Sequence, residues 1–243
     1  MIVLIITAVR VKSMDSHRIS GRILAENIAG PGMLRLVEQS MQSRARKTSV
    51  TEIAVKERKH PQAALTFDDG PDIRYTPLLL DGLKERNVRV SFFLLGEKVE
   101  QYPELVERMQ KEGHLVGNHT YHHVQLNKLN ETKAREEILK TNNLIYETTG
   151  VYPLYLRPPF GAWKKNLELC VEMLPVFWTI DTLDWKVQNT EKIVRTVQEQ
   201  IEDGAIILMH DEYDTSVEAA LQVVDELKNQ GYELVTVDQL ILP

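Results

Sequence analysis

The sequence predicts an α/β protein built as a small (β/α) barrel, with a doubly wound open sheet as the alternative. Three observations carry this expectation. Seven strand-like apolar runs lie between residues 63 and 237, helix-like stretches separate them, and polar groups collect where the runs end. Strict alternation of strand and helix implies a parallel sheet with right-handed crossovers. Seven units in 243 residues fall short of the usual eight-fold barrel. No G-x-G-x-x-G follows the first strand and no Walker loop is present, so the usual nucleotide-binding signatures are missing.

The predicted strands are, in order, "AALTF" (63–67), "VRVSFFLLG" (88–96), "HLVGNH" (114–119), "YLRPP" (155–159), "PVFWTID" (175–181), "AIILMH" (205–210) and "ELVTV" (233–237). Apolar spacing of three and four predicts helices over 75–86, 98–112, 131–148, 163–173, 190–202 and 215–230. In the last of these Val217, Ala220, Leu221, Val224 and Leu227 form one face, and Gly231 is placed to end it. Val99, Leu105, Val106 and Met109 do the same over 98–112, which stops at Gly113.

Charge divides the chain. Residues 1–60 hold 11 Lys/Arg against 5 Asp/Glu, and the remainder 18 against 30. A basic segment, residues 1–59, is therefore expected to precede an acidic domain spanning 60–243. The segment opens on an apolar run from Met1 to Val9, well short of the roughly 20 residues that span a bilayer. It reads either as a short strand or frayed end, or as the remnant of a membrane anchor, with "PGMLRLVEQSMQSRARK" (31–47) as a short helix running into a basic linker. The net charge of −6 argues against a nucleic-acid binder, which carries a basic face. Cys170 is the only cysteine, which excludes an internal disulfide and a cysteine-based zinc cluster.

The first strand stops on Asp68 and Asp69. Adjacent carboxylates repel, and burying either is costly unless it is paired; on its own such a pair is a polar turn before Gly-Pro. Other strand ends supply partners: His119 after the third, Arg157 after the fourth, Asp181 and Asp184 after the fifth, His210 after the sixth. In barrels this face carries the chemistry, because the βα-loops converge there. "NHTYHH" (118–123) offers two imidazole pairs, His119 with His122 or with His123, either of which fits one side of a helical turn. Two His and a carboxylate are a common protein set for catalytic zinc. Arg157 stands before two prolines that stiffen its loop, and near an acid it favours the ionised form. Taken singly, each is as readily a surface cluster, a capping Asp or a structural His; their shared placement at one end of five strands is the signal.

The ordered motifs "TFDDGPD", "HTYHH", "RPPFG", "DTLDW" and "LMH" resemble those of the polysaccharide deacetylase family, the NodB-homology carbohydrate deacetylases, over about residues 60–243. The resemblance implies a distorted (β/α)7 barrel related to the TIM barrel. It implies one divalent ion on Asp69, His119 and His123, zinc first, with Co2+ or another divalent ion as the alternative. Asp68 becomes the catalytic base and Arg157 its partner; His210 becomes the general acid and Asp184 the group that orients and tunes it. Trp185 and Leu208 line the acetyl pocket. Phe160 stands where the family commonly has Tyr, and its backbone N–H serves the oxyanion. No role is assigned to Asp181. The implied reaction removes N-acetyl groups from an N-acetylglucosamine polysaccharide, peptidoglycan first and chitin oligomers second. The rivals are an acetylxylan esterase with the same site and a non-catalytic sugar-binding barrel. The expected setting is an extracytoplasmic monomer held at the membrane or cell wall by its basic segment.

Overall fold

A computed structural model describes residues 59–163 and 173–241. The apolar run at 1–9, the helix expected over 31–47 and most of the helix expected over 163–173 lie outside the described residues. Eight short strands form one parallel sheet: β1 (Gln62–Asp68), β2 (Ser91–Leu94), β3 (Leu115–Asn118), β4 (Tyr155–Leu156), β5 (Leu174–Pro175), β6 (Ile180–Asp181), β7 (Ala205–His210) and β8 (Glu233–Leu234). Their order is β5-β4-β3-β2-β1-β7-β6, with β8 beside the first residues of β1. β1 is the central strand and is buried almost throughout, which is why it reads as an unbroken apolar run.

Two differences from the sequence reading have physical causes. The predicted strand "PVFWTID" is broken into β5, which pairs with β4, and β6, which pairs with β7. One unit thus bridges both ends of the sheet, and the fold is a distorted (β/α)7 barrel rather than an open doubly wound sheet. The last predicted strand is cut to Glu233–Leu234. β7 pairs with Ala63–Asp68 on one edge of β1 and β2 takes Thr66–Asp68 on the other, so β8 is confined to the first half of that second edge, where it pairs with Gln62 and Ala63.

Around the sheet run α1 (Thr76–Glu85), α2 (Gly96–Gln101), α3 (Pro103–Lys111), α4 (Glu131–Thr149), α5 (Asp184–Val187), α6 (Thr190–Gln200), α7 (Asp214–Asn229) and α8 (Val237–Ile241). The helix expected over 98–112 is two, because Pro103 opens α3 and drives Tyr102 out of the helical region (φ −133°, ψ 56°). Asn130 and Asn189 cap α4 and α6 by accepting from the N–H of Lys133 and Lys192. α1 lies close to α7 at Gly82, where an added Cβ would fall 2.5 Å from Leu221 Cδ1. Among the described residues no helix is long and apolar enough to cross a membrane. Since the strands are parallel, Asp68, Asn118, Leu156, Asp181 and His210 all end at one mouth.

Candidate active site

Successive strand residues face opposite sides of a sheet, yet both acids of the first motif reach the mouth. Asp68 is the last residue of β1, and Asp69 follows in the left-handed conformation (φ 68°), which turns its side chain back toward the same cleft. The two carboxylates have separate partners. Asp68 Oδ1 accepts from Arg157 Nη1 at 2.8 Å. Arg157 is fully buried, donates also to Thr66 Oγ1 at 2.7 Å, and lies over the Phe93 ring at 4.2 Å with Trp178 beyond. Asp69 faces imidazoles instead: Oδ1 is 3.3 Å from His119 Nε2 and 3.4 Å from His123 Nε2, and Oδ2 is 3.8 Å from His210 Nε2.

Asp69, His119 and His123 each present one ligand atom within 4.8 Å of the others. The set fits a divalent cation on three counts. The donors are two imidazole nitrogens and one carboxylate oxygen. Asp69 Oδ1 is buried and accepts no well-formed hydrogen bond. His119 Nδ1 lies 2.7 Å from the Arg157 carbonyl oxygen, a contact in which Nδ1 donates and Nε2 is left as a lone pair aimed at Asp69. Burial works against the Asp69 carboxylate, but His119, His123 and His210 outweigh it and hold the acid well below the usual carboxylate range. Burial likewise lowers the pKa of His123, keeping it in the neutral form that binds metals.

The two histidines are not on a helical turn as the spacing suggested. They flank an irregular turn in which Thr120 (φ 67°) and His123 (φ 55°) are left-handed. His122 points outward, with Nδ1 2.8 Å from Glu137 Oε1.

His210 ends β7 and is gripped by Asp184, the first residue of α5. Asp184 Oδ1 is 2.7 Å from His210 Nδ1, and Oδ2 accepts the His210 backbone N–H at 2.8 Å. Burial disfavours the imidazolium, but the hydrogen bond and charge of Asp184, with Asp68 and Asp69 behind it, raise the His210 pKa to about 9. The sign follows: the protonated acid persists above its ordinary value of about 6.5, and the stability it contributes is present below that value and lost as pH rises through about 9. A cation on Asp69 opposes this rise. We predict that Asp184→Asn moves the alkaline limb of the kcat/KM profile to lower pH and moves the acidic limb less. An unchanged alkaline limb in a folded, metal-loaded variant would remove Asp184 from this role. Asp181 makes no hydrogen bond to His210; its Oδ1 accepts from the Leu183 N–H at 3.0 Å.

Asp68, Asp69, His119, His123 and His210 line a cleft of about 450 Å³, within the ~300–1,000 Å³ of small-molecule sites. Phe160, Trp185 and Leu208 line it as well, with Trp178, Asp181, Glu212 and Tyr213. Phe160 is 62% exposed, and its ring centroid is 4.4 Å from that of His123. Trp185 is half exposed and Leu208 buried.

Sequence reasoning missed Thr66, Trp178 and Asp211. Asp211 is fully buried; its Oδ2 accepts from Thr76 Oγ1, and its Oδ1 has no partner. Burial pushes its pKa up to about 7. An acid after a strand reads as a polar turn, and only the pairing of β1 with β7 sets it against Gly70. A Cβ at Gly70 would lie 2.4 Å from Asp211 Oδ1. Gly70→Ala is therefore expected to displace the loop carrying Asp69, lowering stability by about 1–3 kcal/mol and weakening metal binding. Wild-type melting and metal affinity in that variant would show that the Asp211 wall yields.

The family model described as polysaccharide deacetylase matches residues 55–176. The chain is 42% identical to the peptidoglycan-N-acetylglucosamine deacetylase PgdA of Listeria monocytogenes over 185 residues, which cover 76% of this chain and 40% of that protein. It thus spans about two fifths of that relative. It is 40% identical to a peptidoglycan-N-acetylglucosamine deacetylase of Bacillus cereus, covering 74% of this chain and 68% of the relative. The structure of the peptidoglycan deacetylase PdaC from Bacillus subtilis superposes with a TM-score of 0.73 at 42% identity, covering 75% of this chain and 91% of that one. Five motifs scattered over the sequence converge on one cleft, and with these matches the chain belongs to the polysaccharide deacetylase family.

Proposed function

We propose that this protein is a metal-dependent N-deacetylase acting on N-acetylglucosamine residues of peptidoglycan and releasing acetate. The observation that carries the reading is the placement of two differently partnered proton-transfer groups beside one metal-type triad. Asp68, matched to Arg157, and His210, matched to Asp184, both flank Asp69, His119 and His123. A divalent ion held by Asp69, His119 and His123 would supply Lewis-acid polarisation of the acetamide carbonyl and a lowered pKa for water. The two imidazoles and the carboxylate favour zinc.

The chain's own residues do the rest. Asp68 takes a proton from the attacking water, and Arg157 holds that carboxylate in place. The Phe160 N–H donates to the developing oxyanion. His210, protonated on the nitrogen facing the cleft, passes that proton to the departing amine. Trp185 and Leu208 pack the acetyl methyl. Both base and acid are retained, which favours a working enzyme over a non-catalytic barrel. Residues 1–59 serve as a basic stalk holding a monomeric domain to the anionic wall outside the cytoplasm.

Acetate release from peptidoglycan, chitin oligomers and acetylxylan, measured in parallel with Zn2+ supplied, tests the proposal. The expected result is acetate from peptidoglycan together with free glucosamine residues. Release from acetylxylan alone would make the protein an esterase, and no release from any of the three would end the catalytic reading.

A further inference from the structure

The turn that presents His119 and His123 has one internal hydrogen bond, from the Val124 N–H to Thr120 Oγ1 at 3.2 Å, and draws the rest of its support from outside. Thr120 and His123 are left-handed, a conformation that L-residues with a Cβ adopt only when something else holds them there. No helix or ladder runs through this turn. What holds it is one face of α4. Glu137 Oε2 accepts the backbone N–H of Tyr121 at 3.1 Å and of His122 at 2.9 Å, while Oε1 meets His122 Nδ1 at 2.8 Å. The three bonds fall between the two ligand histidines, and they come from a side chain that is itself mostly covered (16% exposed).

The start of the turn is fixed from the same helix. Asn118 is fully buried; its Oδ1 accepts the Thr120 N–H at 2.6 Å, and its Nδ2 donates to the Ile138 carbonyl at 2.9 Å and to Asn142 Oδ1 at 2.6 Å. On the other side, the Gly96 N–H donates to the Thr120 carbonyl at 2.9 Å. Gly96 is walled by Thr141 and Tyr121, so no larger residue fits between the turn and α4.

From this geometry we infer that Glu137 is the positioning residue of the metal centre: it accepts the two N–H groups between the ligand histidines and so sets the separation of their Nε2 atoms. It touches neither the ligand atoms nor the cleft, and it acts through the backbone. His122, the middle histidine of the motif, becomes the outer support of this carboxylate rather than a ligand. The inference rests on the metal site proposed above.

Affinity for Zn2+, read by competition with a chelating indicator, tests it, together with the visible spectrum of the Co2+-loaded protein. Wild type without Zn2+ affinity would defeat the metal site itself. Given wild-type binding, Glu137→Ala is expected to weaken Zn2+ affinity about 10–100-fold, the usual effect of losing an outer-shell partner, and to alter the Co2+ bands. Glu137→Leu, which keeps the bulk and the helix, is expected to do the same and stands in if the alanine variant does not fold. Glu137→Gln is expected to stay within about three-fold of wild type, because its one carbonyl oxygen can accept both N–H groups. His122→Ala, which spares both backbone bonds, is expected to keep most of the affinity. Wild-type affinity in a folded Ala or Leu variant overturns the inference. So does a Gln variant as weak as the Ala variant, since the effect would then be charge alone.

Discussion

Asp68→Asn is expected to lower turnover by about 10²–10⁴-fold, the usual range for a lost general base, while Zn2+ stays bound. Asn keeps the shape of the side chain and one oxygen for the Arg157 Nη1 bond, but it cannot take a proton from water. The metal-type donors are untouched, because Asp69, His119 and His123 are distinct side chains and Asp68 Oδ2 is 3.7 Å from His119 Nε2. Zinc content by elemental analysis and acetate release on the same sample separate the two functions. Activity within ten-fold of wild type in a zinc-replete variant would take the base role from Asp68. Loss of zinc together with activity would make it part of the metal set.

Arg157→Met is expected to be the most destabilising single change at the site, by about 3–5 kcal/mol, because it leaves a buried carboxylate without its cation. Arg157 and Asp68 are both almost completely covered, so little water reaches the Oδ1 atom that Arg157 holds. The packing is largely kept, since Met fills the space against Phe93 and Trp178. The double variant Asp68→Asn, Arg157→Met is expected to be more stable than Arg157→Met alone, since both members of the ion pair are then gone. Denaturant unfolding of all four proteins closes the cycle. Additive effects would mean that the pair contributes no coupling and that Arg157 is held only by its packing.

The elements that read well from sequence are those whose burial sets their own pattern. β1 and β7 are covered along most of their length and appear as unbroken apolar runs; α6 and α7 each bury one stripe and show it as spacing of three and four. The family motifs were legible because short strings of Asp, His and Arg occur at strand ends in a fixed order. The elements that read poorly are those whose form depends on neighbours. The broken fifth strand looks like any other apolar run, since nothing local says that one half pairs with β4 and the other with β7.

By itself, then, the sequence determined the alternation of strand and helix, the ends at which the polar groups sit and, through its motifs, the family. Those features follow from local periodicity and residue order. Which charge meets which was implied by the family resemblance but is carried by no local pattern, and only the tertiary structure brings those groups together. The residues it joins lie 89 positions apart for Asp68 and Arg157 and 26 apart for His210 and Asp184, and β2 and β3 stand between β1 and β4. Curvature of the barrel lets Arg157 reach across to Asp68, and backbone torsions at Asp69, Thr120 and His123 aim the three donors at one point. Separations of that kind are set by sheet order and by left-handed turns, which depend on the packing of distant segments and leave no period in the chain.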